Sequence, residues 1–178
     1  MSIVERMAEG DRTALTELYE RYRQSLFAYL RSRTPDRDLA EEIVQDTLLA
    51  AWAGAHGFTG QASVQSWLFG IARRRTHDAL RRRTLRVVGT AALESMPDPG
   101  PDPEDAALAG ATREELVATM GQLAPIHREV LVLVFVHGFS HRELAEVLGI
   151  PIGTVKSRLS NAKRALRALL HNREGGNQ

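Results

Sequence analysis

Thr154, Lys156, Ser157, Arg158, Ser160 and Asn161 crowd into one short stretch near the carboxy-terminal end of the chain. Hydroxyl, amide, ammonium and guanidinium groups in such close succession suit hydrogen bonding to base edges or phosphates of nucleic acid. Lys163 and Arg164 extend the positive charge. A second basic block lies between Ser63 and Arg86, where seven arginines (73, 74, 75, 81, 82, 83 and 86) stand against the single acid Asp78. From Ile152 to Arg173 there are six basic residues and no acid. Compensating acids gather in Asp36–Asp46 and in Glu94–Asp105. Two basic segments separated by acidic ones point to two contacts with a polyanion. Two solvated helix faces would carry the same charges.

Other chemistries find no support. No phosphate-binding Walker loop, Gly-x-Ser-x-Gly elbow or His-Glu-x-x-His pair occurs, so the chain reads as a binding protein rather than an enzyme. His137 and His141 are four apart but straddle Gly138 without a third ligand, and read as a surface pair rather than a metal site. Cysteine is absent, which excludes disulfides and thiolate metal centres, and no cofactor or metal is expected. The 178 residues carry a net charge of +1, with 43% hydrophobic and 25% charged residues, ordinary values for a protein with a real core. That balance argues against a uniformly basic histone-like protein and against an acidic solvating tail. No apolar run approaches the ~18 residues of a membrane span. Met1–Gly10, with Glu5, Arg6 and Glu9, lacks a signal-peptide core. A soluble, cytoplasmic protein with no membrane contact of its own is the expectation.

The elements that must position these groups read as helices. Asp11 suits the N-cap of a long helix through Leu15, Leu18, Tyr22, Leu26, Tyr29 and Leu30, which Pro35 ends. From about Asp36, Leu39, Ala40, Ile43, Val44, Thr47, Leu48, Ala51 and Trp52 recur at spacings of three and four, leaving Asp38, Glu41, Glu42, Gln45 and Asp46 on the opposite face. Gly54, Gly57 and Gly60 break that pattern, and a third helix follows from about Ser63 to Thr84 with Trp67, Leu68, Ile71 and Ala72 buried early. Four prolines between Met96 and Asp105 predict an extended acidic linker. The expected organisation is a domain over 1–85, a flexible linker over 86–111 and a domain over 112–173. Thr112 and Glu115 have capping-box spacing. Val130–Val136 would suit a strand or a helix, and its flanks favour about three turns of helix. Ser140 and Glu143 form a second capping box, Gly149 fits a helix end, and a basic helix follows from about Ile152 to Leu170. Helix, short glycine turn and basic helix make a helix-turn-helix, with Val155, Leu159, Ala162, Leu166 and Leu169 keeping its inner face apolar.

Three blocks in order, Asp38 to Trp52, Ser66-Trp67-Leu68 through Ile71-Ala72-Arg73 to Asp78, and Gly153 to Arg158, together with the proline-rich divider, resemble a bacterial extracytoplasmic-function sigma factor of the sigma-70 family over residues 5–171. The resemblance implies an all-α fold in which sigma domain 2 is joined through the linker to sigma domain 4. It implies a protein that directs core RNA polymerase to promoters and starts transcription there. The block with Asp38, Glu41, Glu42, Gln45 and Asp46 would dock on the polymerase, while Ile43, Val44 and Trp52 hold the core. The loop His56–Ser66, with Phe58, Gln61 and Ser63, corresponds to the part that captures a flipped base of the −10 element. Phe58 could stack on a base or close the loop over the core, and Trp67 reads as core.

Arg73, Arg74, Arg75, Arg81 and Arg82 would face the promoter backbone and the opened strand. Thr154, Lys156, Ser157, Arg158, Ser160, Asn161, Lys163 and Arg164 would read the −35 element. The resemblance further implies a cognate anti-sigma factor. Arg74 stands where the family often has asparagine, and Ser160 and Asn161 where larger or more basic residues are common, so base preferences do not carry over. A stand-alone helix-turn-helix regulator is the alternative, and it leaves residues 1–85 unexplained.

Overall fold

In the computed structural model, residues 1–87 and 112–175 are described, and every regular element among them is helical. They are α1 (Ile3–Ala8), α2 (Arg12–Arg33), α3 (Arg37–Gly54) followed by the single 3-10 turn Ala55–Gly57, α4 (Val64–Val87), α5 (Arg113–Met120), α6 (Pro125–Leu131), α7 (His141–Leu148) and α8 (Ile152–Gly175). From residue 88 onward the linker expected over 86–111 lies outside the described residues. No helix of the described residues is long and apolar enough to cross a membrane.

Local capping sets most of the boundaries. Asp11 accepts the Thr13 N–H at 2.8 Å to open α2, and hydrogen bonds from Thr13 and Arg6 hold its carboxyl down to about 2. Asp36 accepts the Leu39 N–H at 3.0 Å to open α3. Thr112 and Ser140 complete capping boxes with Glu115 and Glu143, as their spacing predicts. The same device opens α1, where Ser2 and Glu5 cap reciprocally. That short helix is absent from the sequence reading, although its signal, a serine three residues before a glutamate, was present. Arg6 then ties α1 to α2 through Asp11 (2.9 Å) and Glu17 (2.8 Å).

The first four helices share a core of Val4, Met7, Leu18, Leu26, Leu30, Ile43, Leu48, Leu68 and Phe69, all buried. In the second half, Leu131, Leu133, Leu144, Val147, Val155, Leu159 and Leu166 bring α6, α7 and α8 together. Arg128 holds the turn after α5: its guanidinium donates to the carbonyls of Met120 (3.0 Å), Gly121 (2.6 Å) and Leu123 (3.0 Å). Pro125 occupies the first turn of α6, where its missing N–H costs nothing. The ambiguous apolar run is helical but widens after Leu131 into a π-helical turn over Val132–Val136, closed by His137 N–H to Val132 C=O at 3.2 Å.

The two halves pack directly on each other. Phe69 of α4 meets His137 and Phe139 edge-on at 5.0 and 5.1 Å, and Tyr29 of α2 lies 5.3 Å from Phe69. Within this apolar contact sits Glu129, 3% exposed. A carboxylate can be taken out of water only if its charge and lone pairs are met. Here Tyr29 O–H donates to Oε1 at 2.7 Å, Arg73 Nε reaches the same oxygen at 3.2 Å, and Arg33 Nη1 stands 3.6 Å from Oε2. Burial, ahead of the Glu129 charge, pushes the Tyr29 phenol well above its ordinary range, so it is a donor at every working pH. His137, expected at the surface beside His141, is instead half-buried against Tyr29 and Phe69, and burial lowers its pKa, whereas His141 is exposed.

Candidate nucleic-acid and polymerase interfaces

The helix-turn-helix is built from α7, the turn Gly149–Pro151 and α8. Gly149 takes φ +65°, a left-handed conformation that costs a residue with a Cβ about 1–2 kcal/mol. In that conformation the Ile150 N–H returns to the Ala145 carbonyl at 3.2 Å and ends α7 cleanly. The chain then restarts as α8 at Ile152, with Val155, Leu159, Ala162 and Leu166 buried against α6 and α7. At 100° per residue this inner stripe leaves Ser157, Asn161 and Arg164 pointing outward. Lys156 and Arg164 are exposed, and Thr154, Ser157, Arg158 and Asn161 are half-buried.

Local bonds pre-set several of these side chains. Ser157 O–H donates to the Thr154 carbonyl at 3.1 Å, and Arg164 Nη1 donates to Asn161 Oδ1 at 3.5 Å. Lys163 lies 5.9 Å over the Phe135 ring. Ser160, in contrast, has its hydroxyl oxygen buried and turned away from solvent. Ile152, omitted from the sequence reading because it is apolar, is 47% exposed in the first turn of α8, where an aliphatic group can meet a thymine methyl.

On α4, Arg74, Arg75, Arg81 and Arg82 are exposed, and Arg74, Arg75 and Arg81 form no ion pair among the described residues. Arg83 pairs with Asp36 at 2.7 Å, which couples α4 to the start of α3; the Leu39 N–H and then Arg83 hold the Asp36 carboxyl below the usual range. Arg73 faces inward to Glu129. Ser63 accepts the Ser66 N–H at 3.1 Å to start α4, and its hydroxyl lies within hydrogen-bond distance of Ser66 Oγ (2.9 Å) and Glu143 Oε1 (3.2 Å). Gln61 is exposed in the preceding loop. Phe58 is half-buried with its ring 4.9 Å from that of Trp67, so in this structure it closes the loop over the core.

The third surface belongs to α3. Asp38, Glu41, Glu42, Gln45 and Asp46 are all exposed, while Leu39, Ile43, Val44 and Leu48 face the core and Trp52 is half-buried. Glu41 is partly neutralised by Arg37 at 3.0 Å; Glu42 and Asp46 have no such partner among the described residues. Leu49 lies on the same outer face and is 62% exposed. The sequence reading passed over it, although a leucine outside the buried stripe of an amphipathic helix is a legible signal for a contact surface. Beside it, Tyr19, Arg23, Phe27, Arg37, Glu41 and Gln45 line a groove of about 290 Å³ between α2 and α3. Among the described residues there is no cluster of three or more histidines and acids that could hold a metal ion.

Comparison with known proteins agrees in extent and order. The family described as Sigma-70 region 2 matches residues 18–86, and Sigma-70, region 4 matches residues 113–166. The chain is 36% identical over 174 residues to the ECF RNA polymerase sigma factor SigL of Mycobacterium tuberculosis, covering 96% of both chains. It is 33% identical over 158 residues to the ECF RNA polymerase sigma factor RpoE of Cereibacter sphaeroides, covering 88% of this chain and 86% of that one. Among solved structures, it is similar to the sigma factor RpoE of Bartonella quintana in complex with the anti-sigma factor NepR, with TM-score 0.67 and 28% identity over 88% of this chain and 96% of that one. CnrH in complex with the cytosolic domain of CnrY gives TM-score 0.68 and 27% identity, covering 96% of both.

Proposed function

The chain belongs to the extracytoplasmic-function RNA polymerase sigma factors of the sigma-70 family, and from that premise we propose how its three surfaces divide the work of promoter recognition. Residues 1–85 act as sigma domain 2 and residues 112–173 as sigma domain 4, with 86–111 as the connection. The outer face of α3, with Asp38, Glu41, Glu42, Gln45, Asp46 and Leu49, docks on core RNA polymerase. The loop with Phe58, Gln61 and Ser63 and the arginines 73, 74, 75, 81 and 82 of α4 take the −10 element as it melts. The outward side of α8 reads the −35 element in the major groove through Thr154, Lys156, Ser157, Arg158 and Asn161. Lys163 and Arg164 neutralise phosphates, and the Ser160 hydroxyl, buried in this structure, takes no part in the readout.

The observation that carries this reading is the helix-turn-helix itself: a left-handed glycine aims α8 so that polar side chains line its solvent side while its inner stripe is fully buried. The protein works by binding and contributes no catalytic step of its own, and its place is the cytoplasm, where the polymerase is. Relatives solved with NepR and with the cytosolic domain of CnrY support an anti-sigma factor as a further partner of this chain.

Run-off transcription with core polymerase on a genomic promoter library tests the assignment. Start sites sharing −10 and −35 sequences are expected only when the protein is added. Tight, sequence-specific duplex binding by the free protein with no effect on polymerase would favour a stand-alone regulator instead.

A further inference from the structure

The arginines assigned above to the −10 strand do not all stand over the core. Among the described side chains of α4, Thr76 is the last that is fully buried; Ala79 and Leu80 are half-buried, and residues 81–84 are exposed. Arg81 and Arg82 therefore sit about 8–9 Å along the axis beyond the buried part of the helix. A tilt of about 10° at Thr76 would carry them about 1.5 Å sideways. Two bonds near them stay within α4: Arg82 Nε to the Asp78 carbonyl at 3.3 Å, and the Thr84 hydroxyl to the Leu80 carbonyl at 3.0 Å. They fix no direction. Arg83 does, because it reaches another element, its Nη1 donating to Asp36 Oδ2 at 2.7 Å.

Asp36 is itself held in place. Its Oδ1 accepts the Leu39 N–H at 3.0 Å, which leaves Oδ2 for Arg83. Thr34, 3% exposed, takes the Asp36 N–H on its hydroxyl at 3.2 Å and returns its own N–H to the Leu30 carbonyl at 2.9 Å. Arg31 donates to the carbonyls of Thr34 and Pro35. The end of α2 and the start of α3 thus place this carboxylate together, and Asp38 and Glu41 of the polymerase-docking face follow within the next two turns. The Arg83 and Asp36 side chains are 53% and 35% exposed, and an ion pair so open to water adds little to stability. What it supplies is orientation, since a capped carboxylate and a planar guanidinium meet in a defined geometry.

We propose that Asp36 and Arg83 are positioning residues: their bond ties the far end of α4 to the root of the polymerase-docking helix, so that Arg81 and Arg82 meet the −10 strand in a set place relative to the polymerase. The inference rests on the assignment of Arg81 and Arg82 to the −10 surface. Charge alone makes the opposite prediction for Asp36. Removing a carboxylate and releasing a guanidinium strengthens binding to a polyanion, whereas loss of positioning weakens it.

The test compares full-length wild type, Asp36→Asn, Arg83→Gln and the double variant, each with core polymerase on a promoter found by run-off mapping. Asparagine caps a helix about as well as aspartate, so Asp36→Asn keeps the start of α3. Affinity for core polymerase should be unchanged in all three variants. Permanganate reactivity of the −10 thymines should fall about tenfold, and the salt slope of promoter binding by about 1. The double variant should be no worse than either single one, because each change removes the same bond. Stronger promoter binding or unchanged opening in Asp36→Asn, or losses that multiply in the double variant, would overturn the proposal. Should Asp36→Asn fail to fold, Asp36→Ser, which also caps, takes its place. Arg81→Ala combined with Arg82→Ala separates the two readings. Normal opening there would remove both arginines from the −10 surface and the positioning role with them. A large loss there beside a normal Asp36→Asn would overturn the positioning role alone.

Discussion

Arg164 and Asn161 are one turn apart on α8, joined by a 3.5 Å hydrogen bond, yet they differ in what they can tell about a promoter. An exposed guanidinium further along the helix neutralises a phosphate, so Arg164→Ala should weaken binding of the polymerase holoenzyme about equally on all promoters. The salt slope of log affinity should fall by about 0.9. Asn161 can pair two atoms of one base, so Asn161→Ala should relax preference at a single −35 position by about 1–3 kcal/mol and leave the salt slope unchanged. Binding titrations on a set of −35 variants at several salt concentrations distinguish the two.

His137 gives a second prediction at this scale. Burial lowers its pKa from 6.5, and His127 is shifted the same way by the same cause, so the native state prefers both rings neutral. As pH falls below 6.5 the unfolded chain takes up these protons before the folded one does, and stability declines through the window down to the lower native values. Urea midpoints at about pH 5.5 should therefore lie below those at about pH 7.5, and His137→Phe should reduce the difference. An unchanged difference in that variant would place the dependence elsewhere.

At the scale of the element, α3 divides into two faces. Its inner stripe of Leu39, Ile43, Val44 and Leu48 holds domain 2 together, while the outer face is free of core duties. Charge reversal at Glu42 and Asp46 together should therefore leave stability within about 0.5 kcal/mol and reduce recovery of the protein with core polymerase several-fold. Leu49→Asp, which removes the exposed apolar group from the same face, should act in the same direction. Co-purification with polymerase, beside circular dichroism of the free variants, checks both. Normal recovery of the double variant would move the polymerase contact off this face, and the groove between α2 and α3 would be the next place to look.

For the whole molecule the connection between the halves sets a hard limit. Two promoter elements about 25 base pairs apart are separated by about 85 Å of straight duplex, and residues 88–111, which follow α4, can span at most about 79–86 Å. With a domain radius of about 12 Å at each end, the distance left to bridge is about 60 Å. Removing 12 of the residues between 88 and 111 leaves a reach of at most about 43 Å. The shortened protein should still associate with core polymerase through α3 and lose transcription from promoters that need both elements. Full activity from such promoters would show that the halves do not straddle the spacer in this way.

The sequence by itself determined the features that depend on near neighbours. Asp11, Asp36, Thr112 and Ser140 open helices because a cap is made with a backbone N–H two or three residues on, and Gly149 closes one because its conformation is a property of a single residue. Helical periodicity was enough to separate the acidic face of α3 from its core stripe and the polar side of α8 from its buried one. The tertiary structure alone decided what becomes of groups whose partners are far away in the chain. Glu129 reads as one more charge in the flank of an apolar run, yet it is buried by a tyrosine one hundred residues earlier. His137 reads as a surface residue until Phe69 and Tyr29 enclose it, and Phe58 has no fixed role until Trp67 is beside it. No local period encodes such contacts, because burial of a charge or a ring is settled by which surfaces meet when the helices pack.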